Sequence, residues 1–452
     1  MEMASGKTGS DNDIYTSKIY SKLKETIEDM AENADLFVHD PYRDFTRRRM
    51  LPFDKTMHMA LTMGGGSVGD ELHNIFKYDA DIPTNSAFSQ ARGKIRPEAF
   101  GHLFHSFNNS VIMPLTYEGH RLLATDGSKL NIAWDPEDEG TFFGQSNTKG
   151  YNQMHLDALY DLRNHTYVDI LVQDGRHAHE NKALDEMAAR SPISGKTILL
   201  ADRGYESWNN FASIAQKGWS YLVRAKDISS NGILAKLELP AAKAFDADIE
   251  ITLTRVQSKE TKGNPQKYRV LTGSQQFSFL GKENKFFRME FRALRIKLDD
   301  GSYICIITNL PRSGFPPKKI KKLYSLRWGV ETSFRKLKHT IGLSSLHSKK
   351  KDFIRQEIYA RCTMHNFCEL IVLNTVLEEA RKSRKHEYQA NFSAAVKICR
   401  GYLRYFIQNG NKSEKPLVEK FIAKKILPIR PDRNPPRNVR PQSAVCFNYR
   451  VA

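Results

Sequence analysis

Along residues 1–110 apolar side chains recur at helical rather than alternating spacing. The stretch 54–104 reads as three short helices. Gly64-Gly65-Gly66 separates the first pair, and Pro83-Thr84 starts the third, which carries Phe88, Arg92 and Lys94. A helix-turn-helix DNA reader and a small helical bundle fit this pattern equally well. From Arg121 the texture changes to short apolar strands. Leu122 to Ala124 runs into Asp126-Gly127-Ser128, and further strands read over 155–162 and 167–173. A polar helix over 179–190, a strand over 197–201 ending at Asp202, a helix over 207–217 and a strand over 219–224 follow. The first three strands are joined closely enough to be antiparallel. The order as a whole predicts a mixed α/β sheet with helices on both faces.

Between about 227 and 301 the pattern is polar and strand-only. Phe287, Met289, Phe291 and Ala293 share one face, then the alternation moves to Leu294, Ile296 and Leu298, which predicts a β-bulge. This segment reads as a β insertion within the α/β domain. A strand over 303–308, a long helix from near Pro316 and further helices through the 350s to 400s come after it. No internal repeat is evident. Residues 430–450 hold five arginines and four prolines against one acid, which predicts an extended basic arm in which Arg433, Arg437 and Arg440 contact phosphate.

Composition narrows the class of partner. Lys and Arg number 69 against 51 Asp and Glu, a formal charge of +18, which favours a polyanion such as nucleic acid. Mean hydropathy is −0.53, and neither a long apolar run nor an apolar leader is present. Five irregularly spaced cysteines do not make a disulfide framework. A soluble protein of a reducing cytoplasm, with no membrane partner, is expected. Its 452 residues divide into a helical region over 1–110, an α/β domain over 111–367 with its insertion at about 227–301, and a helical region over 368–452 ending in the basic arm.

The helix after Pro316 carries the sharpest signal. At about 100° per residue, Tyr324, Arg327, Glu331, Arg335 and Lys338 fall within an arc of about 80°. Leu323, Leu326, Val330, Phe334, Leu337 and Ile341 form an apolar stripe beside it. One carboxylate among cations and a phenol can hold a metal and grip phosphate; on the helix alone, a solvated face with i,i+4 ion pairs explains it as well. The strands decide between the two. Asp126 and Asp202 each end an apolar strand, in LLATD and ILLAD, and each is followed by a glycine within two residues. Two acids at strand ends and one on a packing helix converge carboxylates in a cleft, a hard oxygen set suited to Mg²⁺ or Mn²⁺.

These residues carry a resemblance. Tyr324, Arg327, Glu331 and Lys338 match a Tyr, two residues, Arg, three residues, Glu, six residues, Lys signature, in LYSLRWGVETSFRKLK. With DGS at Asp126, DRGY from Asp202 to Tyr205 and QEIYAR from Gln356 to Arg361, the chain resembles bacterial insertion-sequence transposases of the DDE class, in the Tyr-Arg-Glu-Lys (YREK) subgroup. The resemblance covers roughly residues 121–367. It implies an RNase H-like fold with a β insertion between the second Asp and the Glu. It implies that Asp126, Asp202 and Glu331 are catalytic ligands of two Mg²⁺ or Mn²⁺ ions in cut-and-paste transposition. It also implies that Tyr324, Arg327 and Lys338, with Arg335 beside them, hold double-stranded DNA at the element's terminal repeats and target. Such proteins act as dimers or multimers on the bacterial nucleoid. Relatives that pass through a DNA hairpin use an aromatic residue near the insertion; Tyr303 stands where one such relative has Trp. A metal-dependent nuclease, or a catalytically inactive transposase-derived DNA-binding protein, are the competing readings.

Other signals read as structure. Cys362, His365 and Cys368 fall at i, i+3 and i+6 on a helix and read as packing. Trp219 and Trp328 read as core or helix packing, and the run from Arg176 to Glu180 serves a helix start as well as a cleft.

Overall fold

The computed structural model describes residues 11–47, 49–78, 82–111, 113, 115–144, 149–380, 388–409 and 417–429. The basic arm, with Arg433, Arg437 and Arg440, lies outside the described residues. The chain opens with α1 (Asp11–Glu32), α2 (Phe53–Thr62), α3 (Val68–Phe76), α4 (Asn85–Arg92) and α5 (Pro97–Ser110). Between 54 and 104 there are therefore four helices rather than three. A Ser67/Asp70 capping box opens α3, Thr84 caps α4, and the extended backbone of Arg96 with Pro97 at the first helical position starts α5 anew.

The α/β part runs β1 (Arg121–Ile132), β2 (Phe142–Phe143), β3 (Tyr151–Asp161), β4 (Thr166–Asp174), α6 (Glu180–Arg190), β5 (Thr197–Ala201), α7 (Trp208–Gln216) and β6 (Ser220–Ala225). β3 pairs antiparallel with β1 on one side and β4 on the other, while β5 runs parallel to β1 and β6 parallel to β5. The resulting order β4-β3-β1-β5-β6 is an RNase H-like arrangement, as the sequence implied.

The insertion supplies β7 (Phe245–Thr254), α8 (Lys259–Gly263), β8 (Tyr268–Val270) and β9 (Phe286–Lys297), so it is not strand-only. β10 (Tyr303–Thr308) pairs antiparallel with both β6 and β9, and β9 pairs with β7, so the insertion lengthens the same sheet. The expected bulge in β9 is absent. Its register with β7 and with β10 runs unbroken, and an irregularity falls instead between β3 and β4 at Leu159/Tyr160. The change of apolar face in β9 has another cause: Met289, Phe291 and Ala293 join the core on one side of the sheet and Leu294 the core on the other. Two-sided burial, not a slipped register, produced the pattern.

After the sheet come α9 (Pro317–Ser325), α10 (Trp328–Arg335), α11 (Lys351–Ala380), β11 (Tyr388–Ala390), α12 (Phe392–Asn409), α13 (Val418–Ala423) and β12 (Ile426–Pro428). One face of the sheet packs on α6 and α7 through Leu123, Leu159, Leu199 and Val223. The other packs on α9, α10, α11 and α5 through Leu122, Ala124, Leu156, Ile198, Leu200 and Leu222, and α12 and the remaining N-terminal helices extend this core behind them. Arg92, which the sequence placed on a candidate reading helix, is spent inside this second core. Its side chain donates to Gln356 (2.7 Å), Glu357 (3.1 Å) and the Phe353 carbonyl (2.5 Å), and Phe88 is fully buried nearby. Lys94 lies just beyond α4, beside Asp44.

Candidate active site

Side-chain alternation and strand register build the site. Leu122, Ala124 and Asp126 point to one face of β1; Ile198 and Leu200 point to that face of β5, with Asp202 next in line. Ala124 pairs with Leu200, and Leu200 with Leu222. Two residues further along, Asp126, Asp202 and Arg224 therefore form a row across three neighbouring parallel strands. Asp202 directly follows β5, as the sequence suggested. Asp126 does not end its strand: β1 continues to Ile132, because Leu130 and Ile132 bury on the same face and β3 stays paired alongside.

The third acid arrives from above. Val330, Phe334, Leu337 and Ile341 are buried against the sheet, and Leu323 and Ile320 anchor the preceding turn. The long helix is not uniform. Leu326, Arg327, Gly329 and Val330 each bond three residues back, a 3-10 tightening between α9 and α10, and residues 336–340 form a π-helical turn. The tightening turns Leu326 to solvent, out of the apolar stripe the sequence assigned it. It also leaves Trp328 half exposed, whereas Trp219 is buried as expected.

Arg327 ties the site together. One of its guanidinium nitrogens donates to Glu331 and the other lies 3.8 Å from Asp126 Oδ2. Asp126 Oδ1 accepts from the Gly127 amide at 3.0 Å, and Asp202 Oδ1 accepts from the Gly204 amide at 2.7 Å, capping a short turn. Burial drives the Asp126 carboxyl up to about 6; Arg327 and the Gly127 amide oppose this, while the charges of Asp202 and Glu331 add to it. The three acids thus share one electrostatic environment. Carboxylates gathered from two strands and a helix are an oxygen donor set that fits a hard divalent cation.

The other sequence-derived residues are distributed around the acids. Burial raises the Tyr324 hydroxyl above its ordinary value, while Arg327 and Arg224 pull it down. Lys338 Nζ donates to the Lys129 carbonyl of β1 at 2.7 Å, and burial lowers its pKa. Arg335 is exposed on α10. Tyr303 opens β10, an interior strand between β6 and β9, at the end of the sheet that carries Asp202, and the Arg295 guanidinium stacks 4.1 Å from its ring centre. Arg224 was missed in the sequence; its signal was the alternation Leu222, Arg224, but its place in the acid row depends on register. Also missed were His155 and Asp157, whose side chains meet Glu180 behind β1. Cys362, His365 and Cys368 are buried in α11, with His365 packed against the Tyr167 and Phe392 rings.

The family model described as a transposase DDE domain matches residues 117–367, more than half of the chain. Among curated proteins the chain is similar to the transposase for insertion sequence element IS231E of Bacillus thuringiensis subsp. finitimus. That match is 20% identical over 264 residues, 51% of this chain and 53% of the relative. It is also similar to transposase InsG for insertion sequence element IS4 of Escherichia coli (strain K12), at 24% identity over 339 residues, 71% of this chain and 70% of that one. The chain thus spans about half the length of the first relative. A solved structure described as a piggyBac transposase synaptic complex with hairpin DNA aligns at TM-score 0.43 and 10% identity over 95% of this chain and 89% of its own, a likeness too slight to argue from. Among the described residues no helix is long and apolar enough to cross a membrane.

Proposed function

This chain belongs to the transposase DDE-domain family, and from that membership we propose that it is an insertion-sequence transposase that cleaves and transfers DNA strands in cut-and-paste transposition. The observation that carries the proposal is the row Asp126–Asp202 on adjacent parallel strands, with Glu331 brought over it and coupled to Asp126 through Arg327.

In this reading Asp126, Asp202 and Glu331 hold two Mg²⁺ or Mn²⁺ ions. When bound, such ions activate the attacking oxygen and stabilise the leaving one in displacement at phosphorus. Arg327 serves the acids as an internal cation until metal binds, and then has a free guanidinium face for a DNA phosphate. Tyr324 and Lys338, with exposed Arg335, flank the acids and position the cleaved end; Tyr303 stacks on a displaced base. The YREK subgroup assignment rests on the spacing of Tyr324, Arg327, Glu331 and Lys338. The partners are double-stranded DNA, as terminal repeats and target, and a second copy of the chain on that DNA. The charge of +18 supports such a partner and a working place on the nucleoid in the cytoplasm. The division into a DNA-binding region over 1–110, a catalytic domain over 111–367 and a C-terminal region over 368–452 belongs to the same proposal.

The test is excision of the gene with its native flanking DNA from a plasmid, comparing wild type with Glu331→Gln. Excision by wild type alone, with binding of terminal DNA retained by both, supports the reading. Cleavage without joining makes the protein a nuclease. Binding without cleavage by wild type, in either metal, makes it a DNA-binding relic.

A further inference from the structure

Behind the acid row, on the opposite face of β1 and β3, lies a second set of ligand atoms. Gly127 pairs with Asp157 and Lys129 with His155, so both β3 side chains project to the α6 side of the sheet, away from Asp126. There His155 Nε2 lies 3.3 Å from Asp157 Oδ1 and 3.3 Å from Glu180 Oε1, the latter at the start of α6. All three atoms fall within 4.8 Å of one another. His155 and Asp157 are more than nine-tenths buried, yet His155 Nε2 and Asp157 Oδ1 have no hydrogen-bond partner. Buried polar atoms left unpaired call for an explanation, and these two face each other.

We propose that His155, Asp157 and Glu180 form a three-ligand site for one zinc-like divalent cation, separate from the acids of the candidate active site. Bonds of about 2.0–2.1 Å in tetrahedral geometry place neighbouring ligand atoms about 3.3 Å apart, the spacing found here between the imidazole nitrogen and each carboxylate. One nitrogen and two carboxylate oxygens suit a borderline ion better than Mg²⁺. The surroundings also suit a metal site. Gln173 Nε2 donates to Asp157 Oδ2 at 2.6 Å, which leaves Oδ1 directed at His155, and Gln173 Oε1 accepts from the His179 amide at the head of α6. A cleft lined by Lys129, His155, His179 and Glu180 gives the ion a path from solvent and leaves its fourth position open to a water.

Charge points the same way. Two carboxylates facing one imidazole are an anionic set that a divalent ion neutralises, and any proton on His155 Nε2 leaves to solvent when the ion binds. The consequence for the protein is local rigidity. A Cβ on Gly127 would collide with His155 Nε2 and lie 2.6 Å from Glu180 Oε1, and a Cβ on Gly204 would lie 3.6 Å from Glu180 Oε2. The site therefore abuts both backbone segments that carry Asp126 and Asp202, and an ion there pins them from behind.

The test separates this site from the catalytic one. The full chain carrying Asp126→Asn, Asp202→Asn and Glu331→Gln together is stripped with chelator, freed of it, and titrated with Co²⁺ and then Zn²⁺, reading visible absorption and bound metal. One equivalent of Co²⁺ with a tetrahedral band, displaced by Zn²⁺, is expected. Adding His155→Ala or the milder Glu180→Gln should weaken binding ~100-fold or more. No stoichiometric Co²⁺ in the triple variant overturns the proposal, as does binding unchanged by Glu180→Gln in a protein whose circular dichroism is intact. Neither outcome depends on whether the chain transposes DNA.

Discussion

Arg327 faces Asp126 at 3.8 Å while its other nitrogen donates to Glu331, so a single guanidinium offsets repulsion between an acid on β1 and an acid on α10. Arg327→Ala removes that cation from a partly buried acid cluster. Without divalent metal the variant should lose roughly 1–3 kcal/mol of stability. Saturating Mn²⁺ supplies the missing positive charge, so the gap to wild type should narrow to under about half. Thermal melts of both proteins with and without Mn²⁺ measure this. A gap of equal size in both conditions would show that Arg327 stabilises by packing rather than by charge.

The interior ion pair between Arg92 and Glu357 invites a different substitution. Their side chains are 4% and 6% exposed, and the pair joins α4 to α11. Arg92→Met leaves a buried carboxylate facing His347 and Arg361. Removing one partner of such a pair costs on the order of 3–5 kcal/mol, and the remaining partners place this case near 3. Arg92→Met/Glu357→Leu should recover part of that loss, since no lone charge is left behind. Urea unfolding decides the matter; a loss below about 1 kcal/mol for Arg92→Met would mean the pair is not the link between these helices.

Glu357 also sets an acid limit. Burial alone would raise its carboxyl, but Arg92, His347 and Arg361 reverse this and bring it from 4.5 down to about 2. A depressed carboxylate pKa contributes stability that is complete above the unfolded value and is lost as pH falls through the folded one. The window here is 4.5 to about 2. Between pH 5 and pH 3 wild type should lose about 2 kcal/mol from this group, and Glu357→Gln should not lose that share. Parallel urea titrations at the two pH values provide the comparison, and equal losses in the two proteins would remove Glu357 as the cause.

The sequence made some of this legible and concealed the rest for identifiable reasons. Asp126 and Asp202 were visible because each follows a run of apolar residues, and Glu331 because its helix carries a spaced set of cations and a phenol. That Asp126 sits mid-strand was also written in the chain, in the alternation Leu130, Asn131, Ile132 beyond Gly127, but a DG pair reads locally as a turn. Leu326 escaped the apolar stripe because an ideal helical wheel knows nothing of the 3-10 turn that precedes α10. Arg224 becomes meaningful only once β6 is registered against β5. His155, Asp157 and Glu180 come from a strand and a helix that close on each other in space, and no local spacing announces that.

Arg224 is the residue whose role the row most directly exposes to measurement. It is exposed at the end of β6, on the face and in the register of Asp126 and Asp202, and its charge reaches the Tyr324 hydroxyl. A cation there is placed to meet a phosphate of DNA drawn towards the acids. Each phosphate contact adds about 0.9 to the slope of log affinity against log salt, so Arg224→Ala should lower the slope for duplex DNA by roughly one unit. Arg312 serves as the control. It is exposed too, but it is already engaged by Asp246 and Asp248 on β7, and Arg312→Ala should leave the slope unchanged. Binding to a terminal-repeat duplex across a salt series reads both variants. A slope that Arg224→Ala does not change would take this residue out of the DNA interface and leave it the electrostatic partner of Tyr324 alone.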